Sequence, residues 1–254
     1  MATASPVSDD RPSVKRRSSI HSLPPNMSEL RVVLLGNSWS ERSSVGNFIL
    51  GENKFDTEKE PDCCLRVRGQ LKEKKIVLIN TPDLLLPDIA SEQLTKHVKY
   101  CVSLSAPGPH VFLLVLKPED FTEEHKLRLQ SILQNFSDQS FDHSLVLIST
   151  PREKRSAIMS KDVPDQPLKD MISMCRNRYL KQENLELPEL LTRLGQTVKN
   201  KNGGHLIYEG FEDAAPAMAH DQESLKRAER VRFKVNPPKA VGKCRIVIQL
   251  VRTL

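Results

Sequence analysis

The sequence predicts an α/β fold: a mainly parallel sheet with helices on both faces. Three observations predict it. Short apolar runs, sized for strands, alternate with stretches whose apolar residues recur at helical spacing. The first run, Val32–Leu35, stops at Gly36 and leads into a helical stretch, which is the outline of a phosphate-binding P-loop. Three polar loops, 36–43, 79–83 and 149–153, each follow an apolar run. Open sheets of this kind keep their ligand site at the carboxyl ends of the strands.

Strands are expected at 30–35, 63–69, 75–80, 111–116, 143–149 and, briefly, 178–182. The helix after the first strand carries Val45, Phe48 and Ile49 on one face. A helix over 122–136 starts behind Thr122 as its cap and places Leu129, Ile132, Leu133 and Phe136 at i, i+3, i+4 and i+7. Another, over 186–200, aligns Leu187, Leu190, Leu191, Leu194 and Val198, and Gly203-Gly204 ends it. Residues 1–28 are rich in Ser, Pro and charge without periodicity, so a disordered tail is expected there. The folded domain is expected over 29–211, followed by a flexible linker at 212–238. The last stretch, 239–254, is strand-like, and its Arg245-Ile-Val-Ile echoes Arg31-Val-Val-Leu. It reads as the start of a truncated second domain.

Composition narrows the functional classes. The chain has 254 residues, 38% apolar and 28% charged, which fits a soluble protein of one α/β domain with tails, or of two small domains. Its most apolar stretch, VFLLVL at 111–116, is far short of the roughly 20 residues that cross a bilayer. No apolar segment follows the basic cluster Lys15-Arg16-Arg17, so no secretory signal is expected. The cysteines at 63, 64, 101, 175 and 244 are odd in number and lack C-x-x-C spacing. They read as reduced thiols of a cytoplasmic protein, not as a disulfide frame or zinc site. A net charge of +6 is a mild excess, and no nucleic-acid partner is expected from it.

The P-loop pattern is G-x-x-x-x-G-K-[ST]. Gly36 and Ser43 match its ends, and Asn37, Ser38, Trp39 and Ser40 fill its middle. Glu41 stands where the second glycine belongs, and Arg42 where the lysine belongs. A left-handed backbone at Glu41 would cost about 1–2 kcal/mol. A carboxylate about 4 Å from a phosphate charge would cost roughly 1 to 4 kcal/mol more. Arginine keeps the charge of lysine but replaces a compact ammonium by a planar fork. A combined loss of about 4 kcal/mol weakens binding roughly 1,000-fold. Arg42 suits a residual phosphate contact or surface pairing with Glu41 or Glu52. Ser43 suits a Mg²⁺ ligand or, more simply, a cap for the helix that follows. Trp39, the single tryptophan, suits packing over the loop or stacking on a base.

Three separated segments carry a family resemblance. They are VGNFILG behind the P-loop, SLSAPGPHVFLLVLKPEDFTEEHKLRLQSILQNF at 103–136, and LKDMISMCRNRYLKQEN at 168–184, which leads on to NGGH at 202–205. Over roughly 29–211 the chain resembles the immunity-associated GTPases, the GIMAP or IAN family. The resemblance implies a G domain that binds GTP or GDP with Mg²⁺ and assembles with itself or with other GIMAP-type proteins. It places the nucleotide on Gly36 to Ser44, with Ser43 as the protein's metal ligand. It adds Asn80 and Asp83, where the family has the ends of Asp-Thr-Pro-Gly. For the base it adds Thr150, Arg152 and Glu153, where the family has Thr-Arg/Lys-x-Asp, although Pro151 removes the stacking cation. Cys63 falls near the family's switch threonine.

These departures lead to the expectation of a guanine-nucleotide-binding protein whose binding is weak and whose hydrolysis is slow or absent. The alternative is a pseudo-GTPase interaction module that binds no nucleotide. A peripheral membrane or nucleic-acid binder acting through its basic tails, such as KRAERVRFKV at 226–235, is a third class, supported by charge alone, and a solvated linker is the simpler reading of that stretch. No catalytic residue is assigned. His110 and His125 have no serine or cysteine partner in the pattern and read as structural. Cys63-Cys64 reads likewise as no nucleophile.

Overall fold

A computed structural model describes residues 27–71, 74–150, 166–200 and 203–207. The readings of the N-terminal tail, the 212–238 linker and the 239–254 strand lie outside the described residues, apart from Met27 and Ser28. So do Pro151, Arg152 and Glu153.

The elements follow the expected alternation. They are β1 (Glu29–Gly36), α1 (Trp39–Leu50), β2 (Leu65–Leu71), β3 (Lys74–Asn80), α2 (Ser91–Leu104), β4 (Val111–Leu116), α3 (Glu123–Phe136), β5 (Ser144–Ile148), α4 (Gln166–Met174), β6 (Tyr179–Lys181) and α5 (Leu187–Lys199). The sheet runs β2-β3-β1-β4-β5-β6. Every neighbouring pair is parallel except β2 with β3. Strands covered on both faces read as unbroken apolar runs, and all six residues of β4 are buried.

Side-chain alternation sorts the core into two layers. Leu30, Val32 and Leu34 of β1 join Val111, Leu113 and Val115 of β4 beneath Val45 and Ile49 of α1 and Leu190, Leu194 and Val198 of α5. The alternate residues face the other helices. There Phe112 of β4 meets Phe136 of α3 edge to face, with ring centroids 4.9 Å apart. Thr122 caps α3 as expected, and His125 completes a capping box with it, which accounts for that histidine structurally.

Two helices, α2 and α4, are not apparent from the sequence pattern. One expected core residue is displaced: Phe48 is 43% exposed. The buried face of α1 turns toward Arg42, Gly46 and Ile49, because Phe55 folds back over Gly46. A Cβ on Gly46 would come within 2.7 Å of that ring. Asn47 fixes the turn by accepting from the amides of Lys54 and Phe55 and donating to the Phe55 carbonyl.

His110 is buried where β1 meets the start of β4. Its Nδ1 accepts the Arg31 amide at 3.0 Å, and the Arg31 Nε donates to the Gly108 carbonyl at 2.7 Å. Burial, with Arg31 and then His205 and His143 nearby, pushes His110 down to about 3. The unfolded chain takes up this proton near pH 6.5 and the native state does not, so stability falls as pH drops below that value. Between pH 7 and pH 5 this group alone is expected to remove about 2 kcal/mol. Urea titrations at the two pH values, with His110→Gln as reference, measure it; an equal loss in the variant would rule His110 out as the cause.

Candidate functional site

Gly36 ends β1 with φ at +154°, and a Cβ there would lie 1.8 Å from the Val115 carbonyl oxygen. The next residue, Asn37, ties the loop to the end of β4. Its side-chain amide donates to the Lys117 carbonyl and accepts the Lys117 amide, at 3.1 and 2.8 Å.

Helix α1 then begins at Trp39, inside the P-loop pattern. Ser38 is the N-cap, with extended backbone (φ −153°, ψ 116°), and its hydroxyl accepts the Glu41 amide at 3.4 Å. The Arg42 amide already donates to the Ser38 carbonyl at 3.1 Å. Serine is a preferred cap, and glutamate in a first turn suits the helix dipole, so this sequence starts a helix where a glycine would hold a loop open. Two expectations are corrected. No residue from Asn37 to Ser44 has positive φ, so Glu41 carries no left-handed strain. Ser43 is not the cap but sits inside the helix, fully buried.

Arg42 is also fully buried and pairs with neither Glu41 nor Glu52 on the surface. Its Nη1 donates to the Gly36 carbonyl, and its Nη2 donates to the Thr81 carbonyl at 3.2 Å. The fork thus closes the loop on itself, joining the end of β1 to the loop after β3. Its guanidinium carbon lies 6.0 Å from the Trp39 ring centre, and Glu60 Oε1 is 3.9 Å from Nη2. Burial lowers the arginine's affinity for its proton, and the charges of Asp83 and Glu60 act in the opposite direction. Trp39 is packed in the first turn, 6% exposed, with Nε1 donating to the Asp56 carbonyl at 2.8 Å. It packs against the loop, as the packing reading expected.

At the end of β3, the buried Asn80 donates from Nδ2 to Ser43 Oγ at 3.1 Å. Asp83 Oδ1 accepts the Leu85 amide at 3.1 Å, and the Asp83 amide donates to Glu60 Oε1. Beyond it, Arg128 of α3 donates to the carbonyls of Leu84, Pro87 and Ile89 and fixes the loop's far side. Thr150 is exposed at the end of β5, while Ser40 and Ser44 are half-buried around the first turn of α1. The structure therefore brings Gly36 to Ser44, Asn80 and Asp83 together and leaves Thr150 at the rim. Sequence reasoning missed Glu60, Thr81 and Arg128, whose contacts lie 18 to 47 residues away in the chain.

The Arg42 Nη groups and the Asn80 amide N–H are thus spent on the protein's own acceptors. Two polar atoms remain over: Arg42 Nε and Asn80 Oδ1 are buried without a partner, two of only four such side-chain atoms among the described residues. Buried polar groups are normally satisfied, so this pair leaves some capacity for a polar guest. Mg²⁺ fits less well. It favours carboxylates and phosphate oxygens in near-octahedral array. Ser43 faces an uncharged amide, and among the described residues no three His, Cys, Asp or Glu side chains cluster. Exchanging the two ends of the Asn80 amide would still bring no charge.

Comparison with known proteins fits this frame. The AIG1 family model matches residues 30–215. The chain belongs to the AIG1 family. This confirms the GIMAP/IAN resemblance. GTPase IMAP family member 8 of Homo sapiens is 30% identical over 191 residues, covering 70% of this chain and 29% of that protein. The chain therefore spans less than a third of that relative's length. Immune-associated nucleotide-binding protein 1 of Arabidopsis thaliana is 27% identical over 124 residues, covering 46% of this chain and 55% of that protein. Among solved structures, Toc33 of Arabidopsis thaliana in complex with GDP and Mg²⁺ aligns with a TM-score of 0.58 at 14% identity. It covers 72% of this chain and 89% of that one. At this identity the likeness supports the fold, a P-loop α/β domain.

Proposed function

We propose that this AIG1-family chain is a guanine-nucleotide-binding protein of GIMAP type. Its binding is weak, its turnover is at background, and it acts by assembling with itself or with relatives. The folded unit is the G domain over 29–211, at work in the cytoplasm. One observation carries the reading: Arg42, in the place of the phosphate-binding lysine, spends its fork on the Gly36 and Thr81 carbonyls. Phosphoryl transfer depends on positioning and on charge neutralisation at the phosphates. Here the loop cation is diverted, Asn80 replaces the metal-linked carboxylate, and Asp83 replaces the glycine, adding a charged side chain and engaging its amide with Glu60. The family kinship supports guanine nucleotide as the ligand. For assembly, the support is by analogy with the chloroplast translocon components atToc33 and psToc159, whose dimerisation matters for their GTPase activity.

Phosphate release from GTP with Mg²⁺ tests the reading. The wild type is expected to be indistinguishable from a buffer blank. Asn80→Asp with Asp83→Gly is expected to stay slow, because Arg42 remains locked. Robust, Mg²⁺-dependent release by the wild type would overturn the proposal. A second reading, an interaction module that takes no nucleotide at all, is favoured by the carboxylate of Glu60 lying in the site.

A further inference from the structure

Glu60 lies between α1 and β2, three residues before Cys63. Its Oε1 accepts the Asp83 backbone amide and stands 3.9 Å from Arg42 Nη2. The side chain of Arg42 has no exposure, whereas that of Glu60 is 36% exposed. One carboxylate oxygen therefore bridges a buried cation and a backbone donor from its position at the mouth of the site.

Those two donors have a common meaning in P-loop proteins. The loop cation reaches the β- and γ-phosphates. In GTPases the segments that close over the nucleotide are ordered by contacts to the γ-phosphate. In this chain the cation is Arg42, the first closing segment holds Glu60, and the second begins at Asp83. We propose that the Glu60 carboxylate is a built-in occupant of the terminal-phosphate position. It ties the 52–62 segment to the Asp83 loop without nucleotide and makes the site disfavour nucleoside triphosphates relative to diphosphates. This rests on the reading of the site as a weak guanine-nucleotide site.

The surroundings fit. Trp39 Nε1 holds the Asp56 carbonyl, which anchors the same segment four residues before Glu60. Arg128 holds the loop beyond Asp83 at three carbonyls. Both flanks of the Glu60 bridge are therefore fastened by other residues, and the carboxylate spans the gap between them. The charges agree as well. Arg42 faces two carboxylates, Glu60 and Asp83, so an added γ-phosphate would have to displace one and sit beside the other. A diphosphate ends before that position and meets less repulsion.

The test is hydrogen exchange on the full chain without nucleotide, comparing the wild type with Glu60→Ala. Exchange across 56–62 and 81–86 is expected to rise about tenfold or more in the variant, with the core strands unchanged. Millimolar inorganic phosphate or pyrophosphate is expected to restore protection in the variant and to leave the wild type unaltered. Unchanged exchange in the variant would overturn the proposal. So would faster exchange that neither anion reverses, since Glu60 would then be only a loop staple. In a second arm, Glu60→Gln removes the charge at constant shape. It is expected to gain about tenfold in affinity for GTP while GDP affinity holds within about twofold; an equal change for both nucleotides would overturn the specificity claim. The two readings fail separately. Tight Mg²⁺-dependent GTP binding by the wild type would end the weak-site reading and leave the exchange result standing. Unchanged exchange together with weak GTP binding would end only the Glu60 assignment.

Discussion

Arg42→Ala is expected to destabilise the protein by about 3–5 kcal/mol, a large part of the stability of a single domain. The side chain is fully buried, and its fork holds the carbonyls of Gly36 and Thr81. Truncation strands both carbonyls in a dry site, each at about 1–3 kcal/mol, and opens a cavity between β1 and the loop after β3. The cost is reduced because a buried cation is also removed, and its desolvation no longer opposes folding. Arg42→Lys separates the contributions. An ammonium keeps the charge but cannot reproduce the fork across two carbonyls, so about 1–2 kcal/mol is expected. Urea denaturation of the three proteins provides the comparison. A loss below about 1 kcal/mol for Arg42→Ala would mean that the arginine is not a structural clamp.

Gly36→Ala is expected to be at least as severe, at about 4 kcal/mol or more, and to yield little folded protein. The added methyl would meet the Val115 carbonyl oxygen at 1.8 Å, and that atom belongs to the backbone of β4. A strand cannot move aside as a flexible side chain can. The backbone at φ +154° is also one that only glycine adopts readily. Gly51→Ala is a fitting control. That residue closes α1 at φ +69°, and an added methyl there would have nothing within 4 Å. Only the left-handed conformation then counts against alanine, at about 1 kcal/mol. Similar losses for the two variants would show that the approach of β1 to β4 is not what requires Gly36.

Strands β1, β3, β4 and β5 were legible because burial on both faces leaves unbroken apolar runs, as in VFLLVL. Helices α3 and α5 were legible because each buries a single stripe. Helix α2 carries the same kind of signal in Leu94, Val98, Cys101 and Val102, but charged and polar neighbours dilute it. The pattern Gly36–Ser43 falls where β1 gives way to α1, as the strand-then-helix reading expected. What the pattern could not convey was conformation. Ser38 as a cap and Glu41 in a first turn are ordinary helix-starting residues, and they convert most of a phosphate loop into helix. The destination of Arg42 was hidden for a different reason. Its partners are carbonyls, which every residue possesses, so no spacing of side chains announces them. Glu60 was hidden because an acidic residue in a polar turn is commonly just solvated. Only the folded arrangement sets it against Arg42 and Asp83.

Where the chain's own groups fill the place of the phosphates, as proposed, Mg²⁺ and the terminal phosphate add little to binding. Calorimetric titration of the purified full chain with GTP, with and without Mg²⁺, tests this most directly. A Kd weaker than about 10 μM, unchanged when Mg²⁺ is withheld, is expected. A Kd below about 1 μM that depends on Mg²⁺ would show that the phosphate site is open.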